Sequence, residues 1–388
     1  MRKAIYLEMW KISAWFCLIS TYANGFPHIK YSYMLMESAS SPSPTSSSPS
    51  SPIQLKRVSL SIFLGLVSGF IIAVLVAAII RCFVHYVNTT PILNGPVVFS
   101  PKIEPATLKL ALHNQNQLLV STPNGTYFRT ALDNGLTIAV KRLHPFQTNN
   151  LRKLQQHLEL LAKLRHRHLM SLRAYVRDSD TFSLIYDYMP TGSLEDAMNR
   201  VRHNHLHMPW DVRLRVAVGI IKALKFLHFE CCPPVLHYNL KPGNVMLDAE
   251  FEPKLADFGL AKLMPNLYRS PNGYTPPDYS HSCSYRYTDK SDVFSFGVIL
   301  AVLLTGRDPL DPFFGEASSG GSLGRWLRHM QQAGEARQAL DKSNLGQDNE
   351  EDEMLMAVRI AVVCMSELPE DRPSSDELVP MLSRLHSF

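Results

Sequence analysis

The stretch that decides the fold is His237-Tyr238-Asn239-Leu240-Lys241-Pro242-Gly243-Asn244, followed shortly by Asp257-Phe258-Gly259. It stands in an ordered series. Ile138-Ala139-Val140-Lys141 precedes it, and Tyr274-Thr275-Pro276-Pro277-Asp278, Ser291-Asp292-Val293-Phe294-Ser295-Phe296-Gly297 and Asp371-Arg372-Pro373 follow. Any one of these segments is a weak signal. Six in this order are a strong one.

The series resembles the protein-kinase family. The resemblance implies an α+β, bilobal protein-kinase fold: an N-lobe β-sheet with one helix, and a C-lobe that is mainly α. It assigns Lys141 to the nucleotide's α- and β-phosphates, 237–244 to the catalytic loop, and Asp257 to Mg²⁺. Within the family the chain looks most like plant receptor-like kinases. Pro91–Phe99, Leu169–Tyr175, His237–Pro242 and Gly320–Gly324 carry a narrower resemblance, to membrane-anchored members with no ligand-binding ectodomain. That resemblance implies partnership with a leucine-rich-repeat receptor-like protein lacking a kinase domain, and with other receptor kinases. It also implies a role in relaying secreted peptide signals that restrain meristem stem cells.

The departures from the family pattern bear on the chemistry. Phosphoryl transfer uses a catalytic-loop carboxylate to accept the substrate hydroxyl's proton, and Asn239 stands there. An amide has negligible basicity, and losing a general base costs on the order of 10² to 10⁴ in rate. Counting back from Leu169, the helix glutamate that should clamp Lys141 is His157, mostly neutral at cytosolic pH. Lys141 is therefore expected to lack its clamp, since Glu159 points away around the helix. Of three glycines expected over the phosphates only Gly125 survives, with Val120 and Thr122 at the other two places. Tyr238 replaces the arginine that binds a phosphorylated activation segment. Lys141, Lys241, Asn244, Asp257 and Gly125 remain as a weak nucleotide site, with Asn244 and Asp257 as the Mg²⁺ ligands if Mg²⁺-ATP binds; no cofactor is required. Asp292 is expected to accept backbone N–H bonds from the catalytic loop, and Asp278 to pair with Arg372.

Outward from this domain, taken as 108–388, lies a proline-punctuated juxtamembrane linker over 81–107. Val58–Ile80 carries no charge and is long enough to cross an apolar bilayer core of about 30 Å. Ser61, Gly65 and Gly69 share one face of that helix, a surface on which another helix can pack. Residues 24–57 read as a Ser/Pro-rich extracellular spacer and 1–23 as a signal peptide. Leader and domain together place the chain at the plasma membrane by way of the endoplasmic reticulum, single-pass, with the kinase-like domain in the cytosol. A hairpin is expected around Asp133-Asn134-Gly135, and Val212, Val216, Ile220, Leu224 and Leu227 follow the spacing of a buried helix. His203, His205 and His207 read as a solvated loop rather than a metal site. A net charge of +5 with scattered basic residues excludes nucleic acid, and six dispersed cysteines form no disulfide framework.

The expected function is that of a membrane-anchored pseudokinase, a signalling partner rather than an enzyme. The alternative is a weakly active serine/threonine kinase.

Overall fold

The computed structural model describes residues 52–89, 95–113, 117–122, 125–143, 151–178, 181–262, 273–278, 287–315, 321–344 and 348–385. The leader, most of the spacer, residues 91–94, Gly320 and the middle of the activation segment lie outside them. The chain divides into two units, the first ending at Asn88 and the second starting at Thr89.

In the first unit, α1 (Pro52–Thr89) runs past the uncharged stretch at both ends. Its strongest candidate membrane span is Ile62–Val84, 23 residues of mean hydropathy 2.9. That window includes Arg81, whose long side chain can reach a membrane interface.

The second unit begins earlier than the sequence suggests. β1 (Pro96–Val98) pairs antiparallel with β5 (Ala174–Asp178), and Phe99 N–H donates to the Arg173 carbonyl. α2 (Pro105–His113) follows. The expected linker to residue 107 is thus corrected from residue 96 onward. Proline is tolerated at the first residue of an outer strand and at a helix start, so its presence did not exclude either element.

β2 (Gln117–Thr122), β3 (Gly125–Ala131), β4 (Thr137–Leu143) and β6 (Thr181–Asp187) complete a six-stranded sheet in the order β1-β5-β6-β4-β3-β2. The β3–β4 hairpin turns where expected, with Gly135 at φ +80° and its N–H donating to the Leu132 carbonyl. Alternation along β4 gives its two faces different work. Ile138 and Val140 bury in an apolar layer with Leu108 and Ala111 of α2. Lys141 presents to the opposite face, with α3 (Leu151–Leu161) packed in the larger core. β2 is the outer strand, and Leu118, Leu119 and Val120 on it are exposed.

The helical lobe starts with α4 (Leu194–Arg202), whose Ser193 cap accepts from Asp196 N–H while the Asp196 carboxylate accepts from Ser193 N–H. This reciprocal capping satisfies two donors that the helix leaves unpaired. α5 (Trp210–Lys225) carries the buried spacing read above and ends in a wider π-type turn, Phe226–Glu230. The hairpin of β7 (Val245–Leu247) and β8 (Pro253–Leu255) brackets the loop between the catalytic stretch and Asp257. Buried α6 (Asp289–Thr305) lies under that loop, followed by α7 (Leu323–Gln332), the short α8 (Ala336–Ala339), α9 (Asp348–Cys364) and α10 (Ser375–Ser383). His203, His205 and His207 are exposed between α4 and α5.

Candidate active site

The roof of the cleft is set by strand register. Tyr127 on β3 lies opposite Lys141 on β4, so both side chains stand on the same face. Lys141 is fully buried and forms an ion pair with Asp257, itself 2% exposed. The Tyr127 hydroxyl donates to the same carboxylate at 3.3 Å, and the Lys141 ammonium lies 5.0 Å from the Tyr127 ring centroid. Burial first, then the Asp257 charge, pushes the Tyr127 phenol well above its ordinary range. Tyr186, opposite Ala139 in the sheet, is shifted the same way, by burial and then by Asp257. Both phenols therefore stay protonated.

The clamp expected to be missing is a glutamate on α3; the counter-charge that Lys141 meets is Asp257 instead. An ammonium taken out of water needs a counter-charge, and the carboxylate within reach is Asp257 rather than one on α3. His157 does something else: its Nε2 meets the Gly259 carbonyl at 3.1 Å, tying α3 to the backbone of the Asp257-Phe258-Gly259 turn. Burial lowers the His157 pKa, so the ring stays neutral and Nε2–H donates. Glu159 accepts from Gln155 at 3.0 Å.

Gly125 sits at φ +152°, and a Cβ there would collide with the Arg142 carbonyl on β4. Close strand approach by itself requires this glycine. Val120 is exposed on β2, and Thr122 ends that strand.

The floor of the cleft is built on Asp292, fully buried at the start of α6. Its carboxylate accepts from His237 N–H at 2.8 Å, Tyr238 N–H at 3.1 Å, the Tyr287 hydroxyl at 2.6 Å and His228 Nε2 at 2.9 Å. Burial alone would raise the Asp292 pKa, but His228, His237 and Tyr287 hold it below the ordinary carboxylate value. Tyr238 takes the left-handed conformation, φ +68°, with its ring 4.8 Å from that of Tyr287. Asn239 is 8% exposed; its carbonyl accepts from Asn244 Nδ2 at 2.7 Å, while its own Nδ2 has no hydrogen-bond partner among the described residues. Lys241 is partly buried one turn away, and Asn244 is buried. Farther down, buried Arg372 pairs with Asp278 and donates to the Lys290 carbonyl at 3.1 Å.

The structure brings Lys141 to Asp257 and Asn239 to Asn244, whose carbonyl accepts from Ala256 N–H beside Asp257. Sequence reasoning passes over Tyr127. The signal was available: the family motif places a valine two residues after the third glycine, and here that position is aromatic. Lys141 and Asp257, the two charges that would face a nucleotide's phosphates and Mg²⁺, are here paired with one another.

A family model described as protein kinase domain matches residues 124–381. The chain is 61% identical over 320 residues to the inactive leucine-rich repeat receptor-like protein kinase CORYNE of Arabidopsis thaliana, covering 80% of this chain and 79% of that protein. It is 32% identical over 320 residues to the Arabidopsis thaliana leucine-rich repeat receptor-like serine/threonine/tyrosine-protein kinase SOBIR1, covering 75% of this chain and 49% of that protein. Among solved structures it is similar to the pseudokinase domain of BIR2, an immune regulator of the RLK/Pelle family, at TM-score 0.64 and 28% identity, covering 76% of this chain and 90% of that one. The maize SIRK1 kinase domain bound to AMP-PNP gives TM-score 0.65 and 25% identity, covering 75% and 99%. Near-equal likeness to a pseudokinase and to a nucleotide-bound kinase means that the fold does not separate activity from inactivity. The side chains of the cleft must.

Proposed function

The chain belongs to the protein kinase family, on its receptor-like branch, and from that premise we propose that it is a membrane-anchored pseudokinase that signals by association. The observation that carries this reading is Asn239. At the place of the proton acceptor stands a buried, uncharged amide, and its backbone is tied into the loop through Asn244. Such a group can orient a hydroxyl but cannot take its proton. The neutral His157, bonded to Gly259 rather than to Lys141, supports the same reading.

The partner we propose is a leucine-rich-repeat receptor-like protein without a kinase domain, met through the Ser61, Gly65 and Gly69 face of α1, in secreted-peptide signalling that restrains meristem stem cells. Other receptor kinases join the complex at the plasma membrane, with the kinase-like unit in the cytosol. The receptor-like kinase relatives and the single candidate span among the described residues support an anchored signalling role.

The test is phosphotransfer by the full-length chain purified in lipid nanodiscs, free of other kinases. Wild type with Mg²⁺-ATP is expected to label a generic substrate no more than Lys141→Ala does. Labelling that exceeds one phosphate per chain and disappears in Lys141→Ala would instead make the protein a weakly active serine/threonine kinase. Asn239→Asp, alone and with His157→Glu, measures what those two positions withhold. Gly65→Leu with Gly69→Leu is expected to abolish co-purification of the receptor partner from plant membranes; unchanged recovery would remove α1 from the interface.

A further inference from the structure

We propose that Tyr127 is a stopper built into the chain, its ring filling the place of a Mg²⁺-nucleotide and holding the cleft shut. The inference deepens the pseudokinase reading and takes its setting from it, but it concerns binding, whereas that reading concerns transfer.

Three observations meet at this residue. Register puts Tyr127 beside Lys141 on the cleft face of the sheet, so its ring covers the ammonium rather than packing into the apolar layer around Ile138 and Val140. The phenol crosses from the sheet to the turn at Asp257, and so ties the strand lobe to the helical lobe. Finally, the charges a nucleotide must reach are out of its reach, Lys141 at 0% exposure and Asp257 at 2%. Tyr186 closes the rear of the same space, as a buried phenol on the central strand β6.

The chemistry of the group is self-consistent. One carboxylate meets one ammonium and one neutral hydroxyl, which leaves no net charge and satisfies the acceptor in a dry setting. A triphosphate entering this space must displace the ring, separate the buried pair and break the hydroxyl bond together. Each step weakens apparent affinity, because only the fraction of chains with the cleft open can bind. A valine at the same position has neither the ring nor the hydroxyl. On this view the chain carries its signal in one closed state that does not follow the nucleotide supply of the cell.

The experiment uses the full-length protein in nanodiscs, with Mg²⁺-ATP as probe and binding read by equilibrium dialysis of labelled nucleotide. Wild type is expected to show no saturable binding up to about 1 mM, and Tyr127→Val to bind roughly tenfold tighter or better. Tyr127→Phe keeps the ring and loses the bond to Asp257, so it should fall between them. Wild type binding within about twofold of Tyr127→Val, or no gain in Tyr127→Val, overturns the proposal. If Tyr127→Val fails to give a cooperative melt, Tyr127→Phe decides: a gain of about twofold or more supports the stopper, and affinity equal to wild type overturns it. Wild-type nucleotide binding as tight as that of Tyr127→Val, without phosphotransfer, defeats the stopper alone. Phosphotransfer by wild type defeats the pseudokinase reading as well.

Discussion

The floor and roof of the same cleft have different characters. On the floor, Asp292 accepts four hydrogen bonds and Arg372 is paired, both fully enclosed. On the roof, the glutamate position of α3 is a histidine, two of three glycines are gone, and the lysine has turned to the carboxylate across from it. The floor groups hold a loop whose buried N–H donors have no water to fall back on, so they are needed whether or not phosphate moves. The groups that have changed, those of the roof and Tyr238 and Asn239 in the floor loop, are needed only for the chemistry and its control. Motif residues kept in a chain like this report on the hydrogen-bond needs of the fold before they report on a reaction.

The largest effect should come from the floor. Asp292→Ala strands the His237 and Tyr238 donors and the His228 ring, and should cost about 4 kcal/mol in a denaturant titration. A loss under about 1 kcal/mol would erase the contrast drawn above. Next is the roof pair. Lys141→Met leaves Asp257 buried without its counter-charge and should cost about 3 kcal/mol, of which Lys141→Met with Asp257→Asn recovers at least half. No recovery in the double variant would mean that the two are not coupled in the folded protein. Gly125→Ala should cost somewhat more than about 1 kcal/mol even with no nucleotide present, because the strain is against the Arg142 carbonyl. If Gly125→Ala melts like wild type, that glycine belongs to phosphate chemistry after all.

The smallest effect is the response to acid. Burial lowers the pKa of His237 and His157 below the ordinary 6.5. The unfolded chain therefore binds protons at a higher pH than the folded chain does. Stability that is present above about pH 6.5 is lost as the pH falls through the lower folded values. The melting midpoint should drop between about pH 7.5 and about pH 5.5, and His237→Phe should shrink the drop. Its two ring nitrogens have no hydrogen-bond partner among the described residues, so little else is lost.

Much of the fold was legible because its signals are local or ordered. Asn134-Gly135 turns the β3–β4 hairpin, and the apolar spacing of α5 is carried by contiguous residues. The series of motifs fixes the order of the elements. What stayed hidden depends on which distant groups meet. Lys141 and Asp257 are 116 positions apart, and no pattern in either neighbourhood says that the lysine will choose that carboxylate. Tyr127 alternates like any half-buried strand residue, so periodicity gives it no distinction; only its departure from the motif's valine does. The early start of the second unit was masked by prolines, which mark loops in most settings but suit the first position of a strand or helix equally well.

The outer strand β2 has a practical consequence for anyone who prepares the kinase-like unit by itself. Leu118, Leu119 and Val120 are 59%, 42% and 50% exposed beside backbone groups that meet no further strand among the described residues. A ribbon with a greasy rim invites a second ribbon, and concentrated samples should thicken into stacked sheets. A single lysine in place of Leu119 would keep such material in solution, because a charge cannot be laid cheaply against a neighbouring strand.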